Sequence, residues 1–224
     1  MEPQVSVPDP DTVRIPSWVC NLESFRRWAR SEDFPECGRF SFLHGKIWVD
    51  LSKEQLFTHN QVKTEFTVVL AGLVMLDSRG YFFSDRAFLS NLAADLSTEP
   101  DGLFVPWESL KTGRVRLVEG TEEGYEELEG SPDMALEIIS SSSVRKYTDL
   151  LRELYWRAGI TEYWLVDARR APLRFDIFRH SAEGYVATPE ENGWLRSVVF
   201  NRAFQLTQQT DPLGNPSYTL AVQP

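Results

Sequence analysis

The sequence predicts an α/β fold, a mixed central β-sheet flanked by helices, built as one domain. Three observations carry this. From Ser131 to Asp167 an apolar run, a serine-rich segment, an amphipathic helix and a second apolar run follow one another. That is the order of a strand-helix-strand unit with parallel strands and a right-handed crossover. The segments after it are all strand-like and separated by turn residues. The third observation is size: 224 residues with 42% hydrophobic content can bury a full core, and favour one large domain over two.

Taken in order, Pro3, Pro8, Pro10 and Pro16 keep the start of the chain from regular structure. Residues 1–20 are therefore read as an extended lead-in and residues 21–224 as the domain. Asn21 is placed to cap a short helix from Leu22 to about Arg30, with Phe25 and Trp28 facing the core. Arg39 to Phe42 and Lys46 to Leu51 read as a hairpin around His44-Gly45. A long helix from Phe57 to about Met75 follows, with Val62, Phe66, Val69 and Leu70 as its apolar stripe. Tyr81 to Ser84, Phe88 to Leu92 and Gly102 to Val105 are short strands. Arg114 to Val118 is another strand or a loop arm, and the segment EGTEEGYEELEG after it is expected to be a solvated acidic insertion.

In the central unit, Met134, Ala135, Leu136, Ile138 and Ile139 suit a strand covered on both faces, so Glu137 in their midst needs a cation, a metal or a proton. Ser140 to Ser143 are expected to cap the next helix, whose core side runs through Leu150, Leu151, Leu154 and the Tyr155/Ala158 side to a stop at Gly159. Tyr163 to Val166 form the second buried strand. Leu173 to Phe178, Gly184 to Ala187, Trp194 to Phe200, Ala203 to Leu206 and Tyr218 to Val222 are expected to extend the sheet as antiparallel strands.

The net charge of −10 argues against coating nucleic acid by bulk electrostatics. The cations are unevenly placed, however. Arg145, Lys146, Arg152 and Arg157 lie on or beside the central helix, with Arg169, Arg170 and Arg174 after the second strand, so a local basic rim is expected on an acidic molecule. No stretch approaches the roughly 18 apolar residues of a membrane span, and the first residues have neither the basic region nor the apolar core of a secretion signal. These features are those of a cytoplasmic protein with no membrane partner. Cys20 and Cys37 are read as free thiols, and the tryptophans as packing.

Asp101 at the lip of one strand and Glu137 inside another stand in comparable contexts. If those strands are neighbours, the two carboxylates can share a hard divalent cation that polarises a phosphodiester and activates water. His59 in FTHNQV is either a satisfied helix histidine or a residue that orients water or a carboxylate. Asp133, in a proline-aspartate step, is either a turn contact or a supporting residue of the site. His44 reads as a turn residue and His180 as a surface residue. Asp167 and Glu162 read as makers of loop hydrogen bonds and charge partners for Arg169 or Arg170, and Tyr155 as helix packing.

These residues carry a resemblance. EPDGLFVP, SPDMALEIISSSS and YWRAGITEYWLVD, with FLHGKIWVDLS and THNQV before them, resemble the Uma-two type family, a bacterial branch of the PD-(D/E)XK nuclease superfamily assigned as restriction endonucleases. The resemblance spans roughly Phe25 to Phe178. It implies a restriction-endonuclease-like core, DNA as substrate, and Asp101 and Glu137 as ligands for magnesium or manganese, with the carbonyl of Ile138 or Ile139 completing the shell. It also implies a homodimer and a supporting place for His59. Two positions depart from the family's pattern: Leu151 stands where a lysine is usual, and Ser41 where a glutamate is frequent. Lys146 is the expected substitute for that lysine, since Arg152 points roughly 100° away on the helix and is a poor proton acceptor. The competing readings are a catalytically degenerate DNA-binding or protein-interaction module, and a metal-free carboxylate-pair hydrolase with carboxylates about 5 to 9 Å apart.

Overall fold

A computed structural model describes residues 13–120, 123–140 and 145–224. The first half runs α1 (Leu22–Ala29), β1 (Arg39–Leu43), β2 (Lys46–Asp50), a π-helical turn (Leu56–Gln61) leading into α2 (Val62–Leu76), β3 (Gly80–Ser84), β4 (Phe88–Asn91) and β5 (Leu96–Thr98). Next come β6 (Gly102–Pro106), α3 (Trp107–Lys111), β7 (Val115–Glu119), β8 (Tyr125–Gly130), β9 (Met134–Ile138), a second π-helical turn (Lys146–Leu151), α4 (Arg152–Arg157) and β10 (Glu162–Asp167). The chain ends with β11 (Arg174–Ser181), β12 (Gly184–Ala187), β13 (Glu190–Glu191), β14 (Trp194–Ser197), β15 (Arg202–Thr210) and β16 (Pro216–Gln223).

The central sheet has the order β12-β11-β10-β9-β6-β3. As the sequence predicts, β9 and β10 are parallel, with Leu136 opposite Trp164, and every residue of β9 is buried. Alternation along the strands sorts the core into two layers. Met134, Leu136, Ile138 and Trp164 meet Phe66 and Leu70 of α2 together with Phe204 and Leu220 of the C-terminal sheet. Ala135, Ile139, Tyr163 and Leu165 face the opposite way, toward Leu151, Leu154 and Tyr155. Glu137 shares the parity of Ala135, so its carboxyl is directed into the layer of α4.

A second sheet, β2-β1-β5-β4-β8-β7, covers that side. Its β1–β2 hairpin turns at His44 and Gly45, both at positive φ (49° and 77°), which is the backbone a two-residue hairpin needs. Beneath it α1 packs Phe25 and Trp28 against Phe40 and Phe42. The Asn21 side chain accepts from the Ser24 amide at 2.9 Å, and the Ser24 hydroxyl accepts from the Asn21 amide at 3.0 Å, closing the helix start.

Three expectations need correction. The acidic segment is no solvated insertion over its described part: β8 pairs with β7, Glu127 is buried on Arg26 at 2.6 Å, and Glu129 is held by Arg26 and Arg116. Only β11 and β12 extend the central sheet, because β13 to β16 form a separate antiparallel sheet packed over α2. Both long helices begin with a π-helical turn that periodicity does not reveal. The expected caps Ser141 to Ser143, residues 1–12 of the lead-in and Glu122 of the acidic segment lie outside the described residues. No described helix is long and apolar enough to cross a membrane.

Glu162, at the start of β10, ties the C-terminal sheet to the central one. It is fully buried, and of the two expected roles it keeps the hydrogen bonds, while Arg169 pairs with Asp167 instead. Its carboxylate accepts from Ser197 Oγ and the Val198 amide, each at 2.6 Å, and from Trp164 Nε1 at 2.9 Å. Glu162→Ala leaves these donors in a core without an acceptor, at roughly 1–3 kcal/mol for each buried group unpaired. A loss of about 2–4 kcal/mol in chemical denaturation is expected, and a loss under about 0.5 kcal/mol would contradict this role.

Candidate active site

The site follows from one strand pairing. β6 and β9 are antiparallel with Gly102 opposite Leu136, so the next step along both strands sets Asp101 opposite Glu137. Leu103 and Val105 lie in the layer of α4, which puts Asp101 on the same face as Glu137. Gly102 lets the strands close: a Cβ there would meet Phe82 at 3.0 Å and Leu136 at 3.4 Å. Asp101 is 0% exposed and Glu137 1%.

Their surroundings push the two carboxyl groups apart. Asp101 is buried, which alone would raise its pKa, but His59, Arg39 and the Ile138 amide outweigh this and hold it well below the usual carboxylate range. The contacts are 2.8 Å from Ile138 N to Oδ2, 2.9 Å from Arg39 Nη1 to Oδ1, and 3.5 Å between His59 Nε2 and Oδ2. Glu137 is pushed up to about 8 by burial and by the charge of Asp101. The Tyr155 hydroxyl donates to Glu137 Oε1 at 2.6 Å. Tyr155 thus has a polar task besides packing.

Lys146 stands in the second π-helical turn, 7% exposed, and donates to Ser41 Oγ at 3.2 Å. Ser41, in β1, is in turn 2.9 Å from Thr98 Oγ1. Burial lowers the pKa of Lys146, and the charge of Glu137 acts the other way. Leu151 is fully buried in the same layer as Tyr155, four residues before it on the helix, and its apolar side chain offers the carboxylates no charge. The ammonium enters from five residues earlier, where the π turn brings it to the layer of Glu137.

The structure brings Asp101, Glu137, Lys146 and His59 together. It leaves Asp133 out: that residue precedes β9, four positions from Glu137 at the other end of the strand. Its carboxylate is bound by Ser109 Oγ at 2.5 Å and Arg114 Nη1 at 3.0 Å. Four residues not anticipated complete the group. Arg39 reaches Glu54 Oε1 at 2.6 Å and Asp85 Oδ1 at 2.9 Å, and Lys63 lies 2.7 Å from Glu54. The one signal for Lys63 was its place four residues after His59, on the same helical face.

A cleft of about 680 Å³ lies beside this group, lined among others by Arg39, His59, Lys63, Tyr147, Arg169 and Arg170, while the buried Asp101, Glu137 and Lys146 do not themselves line it. Of the expected basic rim only Arg169 and Arg170 stand at it. Arg152 instead covers the Phe178 ring at 4.2 Å, and Arg157 pairs with Glu153.

Two donor sets suit a cation. Asp101 and Glu137 offer a carboxyl pair whose joint ionisation is unfavourable without added positive charge. Glu54, His59 and Asp101 have donor atoms within 4.8 Å of one another, and the buried Nδ1 of His59 lacks a hydrogen-bond partner among the described residues. The first suits a divalent ion that takes oxygen ligands, and the second has the donor chemistry for one but already holds Arg39 and Lys63 on Asp101 and Glu54.

A pH dependence follows for the cation-free protein. Glu137 binds a proton more tightly in the fold, where its pKa is about 8, than in an unfolded chain near 4.5. Its contribution to stability is therefore full below pH 4.5 and lost as pH rises toward 8. Denaturation at a series of pH values is expected to show this decline, and Glu137→Gln to flatten it. An equal decline in both proteins would remove Glu137 as its source.

Comparisons with known proteins bear on the fold and the family. No curated protein matches the chain. Among solved structures, a "putative nuclease belonging to DUF820" from Anabaena variabilis has a similar fold, with a TM-score of 0.60 and 18% identity over 81% of this chain and 90% of that one. The fold is accordingly the restriction-endonuclease-like α/β core. Residues 22–209 match the family model Uma2, described as "Putative restriction endonuclease", and the chain belongs to that family.

Proposed function

We propose that the protein is a metal-dependent endonuclease that hydrolyses phosphodiester bonds of DNA at the cleft beside Asp101 and Glu137. The observation that carries this reading is the placement of those two buried carboxyls opposite each other on β6 and β9. They would hold magnesium or manganese, with the carbonyl of Ile138 or Ile139. When bound, such an ion supplies a Lewis acid for a phosphate oxygen and lowers the pKa of a water.

The chain's own groups have distinct tasks in this reading. Asp101 is already ionised, held by Arg39 and the Ile138 amide. Glu137 releases its proton to become a ligand, and Tyr155 fixes the direction of its carboxylate. Lys146, buried beside Glu137 and tethered to Ser41, meets the negative charge that develops on phosphorus oxygens, where a preorganised cation away from water acts strongly. His59 braces Asp101 from one side and offers its unpaired Nδ1 to a water. Arg170 at the cleft rim, beside Arg169 held on Asp167 at 2.6 Å, receives flanking phosphate, which reconciles a DNA substrate with a net charge of −10. Cutting both strands calls for two such sites, the task of a homodimer.

A plasmid-nicking assay with magnesium and with manganese tests this. Wild-type protein is expected to relax supercoiled DNA. Glu137→Ala and Lys146→Ala are each expected to lower the rate by about 10²–10³-fold, with unchanged circular dichroism. Full cleavage by Glu137→Ala would overturn the reading. A buried leucine at position 151, where the family's pattern has a lysine, favours a second reading, a non-catalytic DNA-binding module. Retention of DNA without metal and without cleavage would select that one.

A further inference from the structure

Beside Asp101 the chain supplies cations of its own. Arg39 donates through Nη1 to Asp101 Oδ1 at 2.9 Å, and through Nη2 to Glu54 Oε1 at 2.6 Å and Asp85 Oδ1 at 2.9 Å. Lys63 reaches the two outer carboxylates of this set, 2.7 Å from Glu54 Oε1 and 3.2 Å from Asp85 Oδ2. Three carboxylates are thus bridged by two side-chain cations. The same Glu54 and Asp101, with His59, would otherwise form a donor set for a divalent ion, and the unpartnered Nδ1 of His59, 3.7 Å from Glu54 Oε1, is directed into it.

Two-metal hydrolases place a second ion about 3.5–4 Å from the first, clamping both oxygens of the reacting phosphate. Here that neighbourhood is already charged. A second divalent ion would compete with Arg39 for Asp101 Oδ1 and Glu54 Oε1. It would also stand against two fixed positive charges, the guanidinium of Arg39 and the ammonium of Lys63, which repel a divalent ion twice as strongly as a monovalent one. Arg39 is at the same time a lining residue of the cleft. Its three hydrogen bonds occupy both Nη2 donors and one on Nη1, and leave Nε–H and the second Nη1–H, each able to meet one phosphate oxygen.

We infer that Arg39, backed by Lys63, takes the place of a second metal ion: the protein binds one divalent cation, and the Arg39 guanidinium contacts the reacting phosphate where a two-metal enzyme would use another ion. This rests on the nuclease reading above and specifies its cation count.

Counting bound Mn²⁺ on the intact chain, by calorimetry and by electron paramagnetic resonance, tests it without reference to activity. Wild type and Arg39→Lys, which keeps a positive charge, are each expected to bind one ion. Arg39→Gln is expected to bind two, the second showing nitrogen coupling from His59. Should Arg39→Gln fail to fold by circular dichroism, Arg39→Met, which keeps the stem of the side chain without its charge, takes its place and is expected to bind two ions, one ion in the folded variant overturning the inference. Two ions in wild type would overturn the inference and leave the nuclease reading standing, as would one ion in a folded Arg39→Gln. No ion in wild type would overturn the nuclease reading, and the inference with it.

Discussion

Two carboxyl groups buried facing each other do not both ionise readily unless positive charge is brought to them. The pairing of β6 with β9 imposes that condition on Asp101 and Glu137, and the surrounding residues answer to it unequally. Asp101 receives a guanidinium, an imidazole and a main-chain amide and keeps its charge. Glu137 receives a tyrosine hydroxyl and a more distant ammonium and keeps its proton. A pair tuned apart in this way has one member ready to bind a cation and one that binds it only on releasing a proton.

The fold delivers each partner from a different layer. The central sheet supplies the carboxyls, the second sheet supplies Arg39 and Ser41 from a single strand, and the two π-helical turns supply His59 and Lys146. A π turn widens the helix by one residue and is frequent where a side chain must be aimed at a function. Here it explains how Lys146 reaches the layer of Glu137 while Leu151, on the same helix, remains in the apolar core. The third sheet takes no part in this chemistry. It covers the far face of the central sheet, and Glu162 fastens it there.

Much of this was legible in the residues. An unbroken apolar run with a carboxylate inside it made β9 and Glu137 readable, because a charge in such a strand always calls for a partner. The strand-helix-strand order set β10 parallel to β9. Arg39, Glu54, Lys63 and Asp85 were not readable, since they come from four separate segments and each looks like an ordinary exposed charge until the strands are paired. Tyr155 matched a core position by helical spacing, which hides a hydroxyl at the ring's far end. Glu127 and Glu129 passed for solvated charge because Arg26 lies about 100 residues earlier. Asp133 seemed near the site only by sequence, four residues being a full strand length of roughly 13 Å.

A crystal of the protein soaked in manganese, with anomalous scattering recorded at the metal edge, tests the account most directly. The expected result is a single peak bridging Asp101 and Glu137, with Arg39 still on Asp101 and Glu54. A peak held elsewhere in the molecule, or an Asp101–Glu137 pair left without density at saturating manganese, would contradict it.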